Sequence, residues 1–352
     1  MIMKNIILKI SQTAFILTGV LVSTQLLAGN PDRAGSAGGQ SLLINSFAKS
    51  SGLGESNMAN VTGIESISLN IAGLAFTKKT EVVFARSIWL RGSGVNINTL
   101  GFSQKMGNSG VLGISIESYN LGEIDVTTVN QPEGGIGTFT PSYLNIGISY
   151  AKQFSNSISG GLAVKLLSEQ IPDVSTQGVV FDAGVRYATG EKQRIKFGVS
   201  LKNVGPTMRY KGDGLSIRIT NEQESTQAVQ QRSANIELPS LINVGASYDF
   251  FLAEKHTLTA SGNFRSNSFT KDQIGLGAEY NFNEILYLRT GFLHEKDIFS
   301  SENRTTAYTG PSFGMSLQAP LGKNAGKISI DYSYRTTTSF DGTHTIGARI
   351  NL

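Results

Sequence analysis

Strict alternation of apolar and polar side chains, repeated in segment after segment, is what most narrows the folds open to this chain. Residues 194–202 set Ile195, Phe197, Val199 and Leu201 against Lys196, Gly198, Ser200 and Lys202, and residues 327–335 set Ile328, Ile330, Tyr332 and Tyr334 against Lys327, Ser329, Asp331, Ser333 and Arg335. Residues 178–187 and 274–282 follow the same rule, with Asp182, Gly184 and Arg186 in the first and Gly275, Gly277 and Glu279 in the second on the less apolar side. Successive strand side chains point to opposite faces, so each segment has one apolar face and one polar or glycine face. The 3.6-residue period of a helix does not fit them.

Fourteen segments read this way: 80–89, 94–105, 109–119, 142–153, 157–167, 177–188, 194–203, 240–251, 255–264, 274–282, 285–294, 309–318, 326–335 and 343–352. Most run nine to twelve residues, longer than an average globular strand and long enough for a tilted strand to cross a bilayer. An even count suits a bacterial outer-membrane barrel. Connections sort by parity as well. Those after even segments are short, such as 106–108, 154–156 and 283–284, while 120–141, 168–176, 204–239, 265–273, 295–308 and 336–342 after odd ones, the first excepted, are longer. Short periplasmic turns and long outer loops produce that sorting, which a soluble sandwich has no reason to show.

Composition agrees. Only 16% of the 352 residues are charged, 40 are glycine and none is cysteine, against roughly 25% charged and 7% glycine in ordinary soluble domains. Without cysteine there is no disulfide scaffold, thiolate zinc site, iron–sulfur cluster or thiol nucleophile. Lys4 and Lys9 precede an apolar stretch, Thr13 to Val22, and the small residues Ala28 and Gly29 follow it. This is the layout of a secretory signal peptide over 1–28, and its core is too short to span a membrane. Removing it takes the formal charge from +4 to +2, so the basic balance says nothing for nucleic acid.

With the apolar faces toward lipid, Glu117, Lys165, Asp182, Arg186, Lys196, Lys202, Glu279, Asp331, Arg335 and Arg349 line the lumen. Charges at membrane depth must face water or protein, so the interior is wet or filled by a polar plug. Residues 29–79 carry no strand pattern, and Leu42, Leu43, Ile44 and Phe47 are too apolar for a solvated tail. The expectation is a hatch folded into or beneath the barrel, with a short helix across Ser41 to Ser50. Glycines such as Gly147, Gly161, Gly184, Gly198, Gly245, Gly275, Gly277 and Gly347 fall on the lumen side and leave room for it.

No catalytic, cofactor or metal set stands out. His256, His294 and His344 are far apart, no G-x-S-x-G elbow exists, and Glu123, Asp125 and Glu133 lack calcium-loop spacing. Trp89 sits at the outer end of the first segment, and Tyr143, Tyr187 and Tyr332 fall where aromatic girdles would lie.

The run Asn70, Ile71, Ala72, Gly73, Leu74, Ala75 resembles the Asn-Pro-Ala-Gly-Leu-Ala hatch motif of FadL-like outer-membrane proteins, whose barrels have fourteen strands. A closer resemblance is to the PorV/PorQ family of type IX secretion systems. It rests on Arg33-Ala34-Gly35-Ser36-Ala37-Gly38, the hatch motif, Gln131-Pro132-Glu133-Gly134-Gly135, Asn203-Val204-Gly205-Pro206, Asp331-Tyr332-Ser333-Tyr334 and the strand count. Leu352 gives the chain an apolar end like that of outer-membrane barrels, which usually finish on an aromatic residue.

The resemblance implies an all-β, 14-stranded antiparallel transmembrane barrel over 80–352 with an N-terminal hatch over 29–79, seated in the lipid of the bacterial outer membrane. It implies a non-enzymatic role in protein secretion. The partners would be a large translocon barrel or a surface sortase and attachment complex, together with the C-terminal signal domains of exported cargo. The rival expectation is a FadL-like channel for hydrophobic small molecules, against which the charged lumen faces speak.

Overall fold

The computed structural model describes residues 29–220, 225–322 and 326–352; the expected signal peptide lies outside them. Fourteen strands carry the alternation: β1 (Thr80–Ile88), β2 (Asn96–Met106), β3 (Gly110–Asn120), β4 (Ser142–Gln153), β5 (Ile158–Ile171), β6 (Val174–Thr189), β7 (Ile195–Val204), β8 (Leu241–Ala253), β9 (His256–Asn267), β10 (Gln273–Phe282), β11 (Leu286–Glu295), β12 (Tyr308–Pro320), β13 (Lys327–Thr337) and β14 (Thr343–Asn351). Each pairs antiparallel with its neighbours in sequence, and β14 returns to β1 with Val83 opposite Arg349 and Ile88 opposite His344. Closure leaves no open sheet edge, and the ladder is interrupted at bulges such as those between Tyr308 and Ser312 and between Phe181 and Ala183.

Burial is inverted relative to a soluble protein. Phe84, Leu276 and Ile330 point outward at 50%, 61% and 62% exposure, whereas Asp182, Asp331 and Arg349 point inward and are buried. A continuous apolar exterior of this extent needs a lipid solvent. Near the two ends of the wall, outward aromatic pairs mark the interfaces: His344 Nδ1 lies 2.9 Å from the Tyr332 hydroxyl at one end, and His256 Nδ1 lies 2.6 Å from that of Tyr280 at the other. Tyr143 is not part of this girdle. It shares the parity of Asn145 and Gly147 and faces the mouth of the lumen.

The strands β5 and β6 run past the segments the alternation marked. Residues 168–176, expected to be loop, continue the ladder to a two-residue turn at Pro172 and Asp173. Outward Ser168 and Gln170 end the apolar face there, so the hydrophobic signal stops at the membrane boundary while hydrogen bonding extends into water. Within 204–239, Ser216–Thr220 pairs antiparallel with Thr226–Gln230, and the residues of both short strands are exposed. The expected helix across Ser41 to Ser50 is instead a 3₁₀ turn at Gln40–Leu43 and one α-turn at Ala48–Gly52, separated by extended residues. The extended stretch puts Phe47 into the core, fully buried beside Ile64 and Leu74.

Candidate functional site, the plug and its ionic lock

The N-terminal segment crosses the lumen from end to end. At the long-loop end, Asn30 N donates to Asn267 O and Arg33 pairs with Glu237 at 2.6 Å. At the short-turn end, Thr80 N donates to Leu352 O and Lys105 N to Lys79 O. Between them, Phe47, Ile64, Ile67, Ile71 and Leu74 pack on wall residues Val83, Val111, Ala151 and Ala163. The apolar core of the protein is therefore inside the barrel, made mostly by the plug.

The hatch motif forms the 3₁₀ turn Ile71–Phe76. Asn70 caps it, accepting from Ala72 N at 3.1 Å on Oδ1 and donating from Nδ2 to Val185 O at 3.1 Å. The cap thus ties plug to wall. Ile71 takes the first helical position of this turn, where the N–H has no partner within the turn and proline would be tolerated as well. Ala72 and Leu74 are fully buried, and Ala75 nearly so. Gly184 and Gly198 leave the space Asn70 fills: a Cβ on Gly184 would overlap Asn70 Oδ1, and one on Gly198 would sit 2.8 Å from Nδ2. A Cβ on Gly73 would overlap the Val61 carbonyl oxygen.

Charges fix the plug in register. Glu55, buried in the hatch, accepts from Arg265 Nη2 of β9 at 2.6 Å and Arg335 Nη1 of β13 at 2.8 Å. Glu65 accepts from Arg349 Nη2 of β14 at 2.5 Å and from Ser50 N at 2.7 Å. The same guanidinium reaches Glu81 of β1, which also accepts from Ile64 N at 2.7 Å, and lies 3.7 Å from Asp331. Asp331 in turn faces Lys49 of the plug at 4.0 Å. Elsewhere Lys202 donates to the carbonyl of Ser68, Ser46 donates to Glu117 at 3.0 Å, and Arg186 stacks over the Phe76 ring at 4.2 Å. Burial would raise the Glu55 carboxyl, but Arg265 and Arg335 outweigh it and hold it below the usual carboxylate range. Buried ion pairs add little net stability over apolar packing, yet breaking one is costly, so any displacement of the plug that separates these pairs is opposed.

Among the described residues, cavities lie beside it. One of about 30 Å³ has Glu55, Glu117, Lys165, Lys202 and Arg265 in its wall together with Leu42, Leu43, Ile44, Ile67 and Leu241, and another of about 150 Å³ has Glu55, Arg265, Glu295 and Arg335 with Leu43, Leu293, Ile298 and Tyr308. Both have mixed walls and the volume of a few waters.

All ten lumen charges expected from the alternation face inward, and the five hatch-motif residues come together on the one turn. The partners supplied by the plug, Lys49, Glu55 and Glu65, and the wall residues Glu81 and Arg265 are not among the residues that the alternation singles out. A signal was present, since charges are scarce in a hatch this apolar and a buried carboxylate requires a cation. The histidines do not converge, and among the described residues no three His, Asp or Glu side chains are grouped to hold a metal ion.

A closed antiparallel barrel of fourteen strands, apolar outside and plugged by its own N-terminal segment, defines an outer-membrane β-barrel protein. The chain belongs to the PorP/SprF family of type IX secretion system membrane proteins, whose model matches residues 82–349. The match supports type IX secretion, the ground shared with the PorV/PorQ family that the short motifs resemble, and does not extend to the PorV/PorQ name itself. The chain's fold is similar to solved FadL-type barrels. The CymD monoaromatic hydrocarbon channel aligns at 11% identity and TM-score 0.56 over 88% of this chain and 97% of that one. A Pseudomonas aeruginosa FadL homologue aligns at 11% and 0.55 over 88% and 98%, and the Pseudomonas putida toluene transporter TodX at 11% and 0.55 over 87% and 97%. The search of curated proteins found no match.

Proposed function

We propose that this protein is a closed, membrane-seated docking component of a type IX secretion machine, and not a conduit. The observation that carries this reading is the plug's attachment: its acidic residues Glu55 and Glu65 are each gripped by wall arginines, and the spaces beside it that include Glu55 in their walls are small, about 30 and 150 Å³. A hydrophobic solute crossing such a lumen would have to displace buried ion pairs, at a cost of several kcal/mol each. The hydrocarbon-channel names of the structural neighbours favour the channel reading only through a shared fold, and fold alone does not carry function.

What the barrel offers a partner lies at its ends. Short turns face the periplasm and long loops the outside, and the exposed strand pair Ser216–Thr220 and Thr226–Gln230 stands on the outer side. The partners proposed are a large translocon barrel or surface attachment complex and the C-terminal signal domains of cargo. Cross-linking in outer membranes followed by affinity capture tests this. Recovery of secretion components, with cargo retained in the periplasm after deletion of the gene, supports the reading. Capture of the barrel alone, with bound apolar ligand and secretion intact in the deletion strain, overturns it.

A further inference from the structure

The lipid-facing side of β1 carries one charge. Val82, Phe84, Arg86 and Ile88 share the outward parity, and Arg86 is exposed between two exposed apolar residues. Across the wall it lies opposite Ile346 of β14 on one side and Asn98 of β2 on the other, so three of its four nearest outward neighbours are apolar. Among the outward residues of the described strands, the other ionised one is Lys152, past Tyr150 at the short-turn end of β4. A charge on the lipid side lowers stability more the deeper it lies, and Arg86 has no hydrogen bond or ion pair within the described residues. Its depth is shallow. Ile88, the next outward residue, lies opposite His344 of the aromatic girdle, and two residues of a strand tilted by about 40° span about 5 Å of depth. A guanidinium on its extended stem covers that distance, which puts it among lipid headgroups.

The row continues in polar form. Asn98 is followed by Ser118 of β3, both with outward parity and neither with a side-chain hydrogen bond within the described residues. One step deeper, in register, run Phe84, Leu100 and Ile116, all exposed. A polar row above an apolar row matches the profile of a lipid, headgroup over acyl chain. We propose that Arg86 and Asn98, with Ser118 at the margin, form a site on the lipid-facing wall for the phosphate of an outer-leaflet lipid. The guanidinium fork matches two phosphate oxygens. Outward side chains on adjacent strands start about 5 Å apart, which lets the Asn98 amide donate to the same phosphate, and the acyl chains lie along Phe84, Leu100 and Ile116. The polar row ends at Ile346 on one side and at Leu144 of β4 on the other. Three residues are too few for a second barrel, since a stable protein interface takes about 20–30 residues a side, but they suit one headgroup.

The site is tested on protein purified from outer membranes in dodecyl maltoside, a detergent without phosphate, and titrated with lipid A or with lipid A stripped of its phosphates, the bound lipid being counted by native mass spectrometry. The parent is expected to hold the phosphorylated lipid roughly tenfold or more tightly than the stripped one, because hydrogen bonds to a charged group are the strong ones. Arg86→Gln removes that difference while the barrel keeps its heat-modifiable migration in gels. Arg86→Lys, which keeps the charge without the fork, falls between, and Asn98→Leu gives a smaller loss and carries the same comparison should Arg86→Gln fail to assemble. Millimolar inorganic phosphate, which has nothing to place on the apolar row, leaves the lipid bound. In cells, photoreactive benzoylphenylalanine in place of Ile346 forms adducts with lipid. Equal retention of the two lipids by the parent, equal affinity in the parent and the Arg86 and Asn98 variants, displacement by inorganic phosphate, or photoadducts to a protein chain in place of lipid overturns the inference.

Discussion

Glu55→Gln removes one charge from the plug and leaves the barrel wall untouched. In the parent, the carboxylate is 3% exposed and neutralises Arg265 and Arg335 together. The amide preserves shape but leaves two buried guanidinium groups facing a neutral carbonyl. Breaking a buried pair by removing one partner costs about 3–5 kcal/mol. The lower end applies, because Arg265 keeps Asn243 at 3.1 Å and Gln273 at 3.2 Å, and Arg335 keeps the Tyr308 ring at 3.9 Å. A loss of about 3 kcal/mol, at 1.4 kcal/mol per decade, raises the undocked fraction of the plug roughly a hundredfold. Hydrogen exchange in lipid nanodiscs reads it: amides in 46–60 should exchange about a hundred times faster, with β3 to β6 unchanged. Adding Arg335→Gln should recover part of the protection, since the second change removes one uncompensated cation. Exchange in 46–60 within a factor of two of the parent would refute the ionic lock.

Other consequences follow from the same geometry. Asn70→Ala removes the cap and the bond to Val185 O and should cost about 1 kcal/mol, seen as faster exchange confined to 70–77. Gly184→Val places a side chain where Asn70 lies, and limited proteolysis should then cut the hatch of a barrel that still migrates as folded. Leu276→Arg, on the lipid face, should lower folding stability into vesicles by about 2–4 kcal/mol if it sits at the midplane, while leaving plug protection unchanged. The Glu55 carboxyl is depressed, so its contribution is fully present above the unfolded value near 4.3 and is lost as pH falls through the lower folded value. Plug exchange should therefore be flat from pH 8 to 5 and accelerate only below about 4.

The barrel was legible in the sequence because lipid imposes one rule on every strand: residues such as Phe197, Val199 and Leu201 must face out, and Lys196, Ser200 and Lys202 must not. That rule ends at the membrane boundary, which is why it does not mark the extensions of β5 and β6 around Pro172 or the pairing of 216–220 with 226–230. The hatch motif was legible as a short pattern, and its glycine and asparagine roles follow from contacts with Val61, Gly184 and Gly198. The ionic lock was half legible. Periodicity placed Arg335 and Arg349 inside, but pairing Glu55 with Arg265, 210 residues away, depends on how an irregular segment threads a lumen, and no local propensity encodes that.

The central claim is that the plug stays seated while the protein does its work. The chain has no cysteine, and Ser56 Oγ of the plug lies 2.9 Å from Ser261 Oγ of β9, so Ser56→Cys with Ser261→Cys places two thiols within bonding reach. Secretion of a type IX cargo is then measured in a deletion strain carrying the oxidised double variant. Secretion at the parental level with the cross-link formed in nearly every molecule is the predicted result. Secretion lost on oxidation and regained with a reductant would show that the plug must move, and would contradict the account.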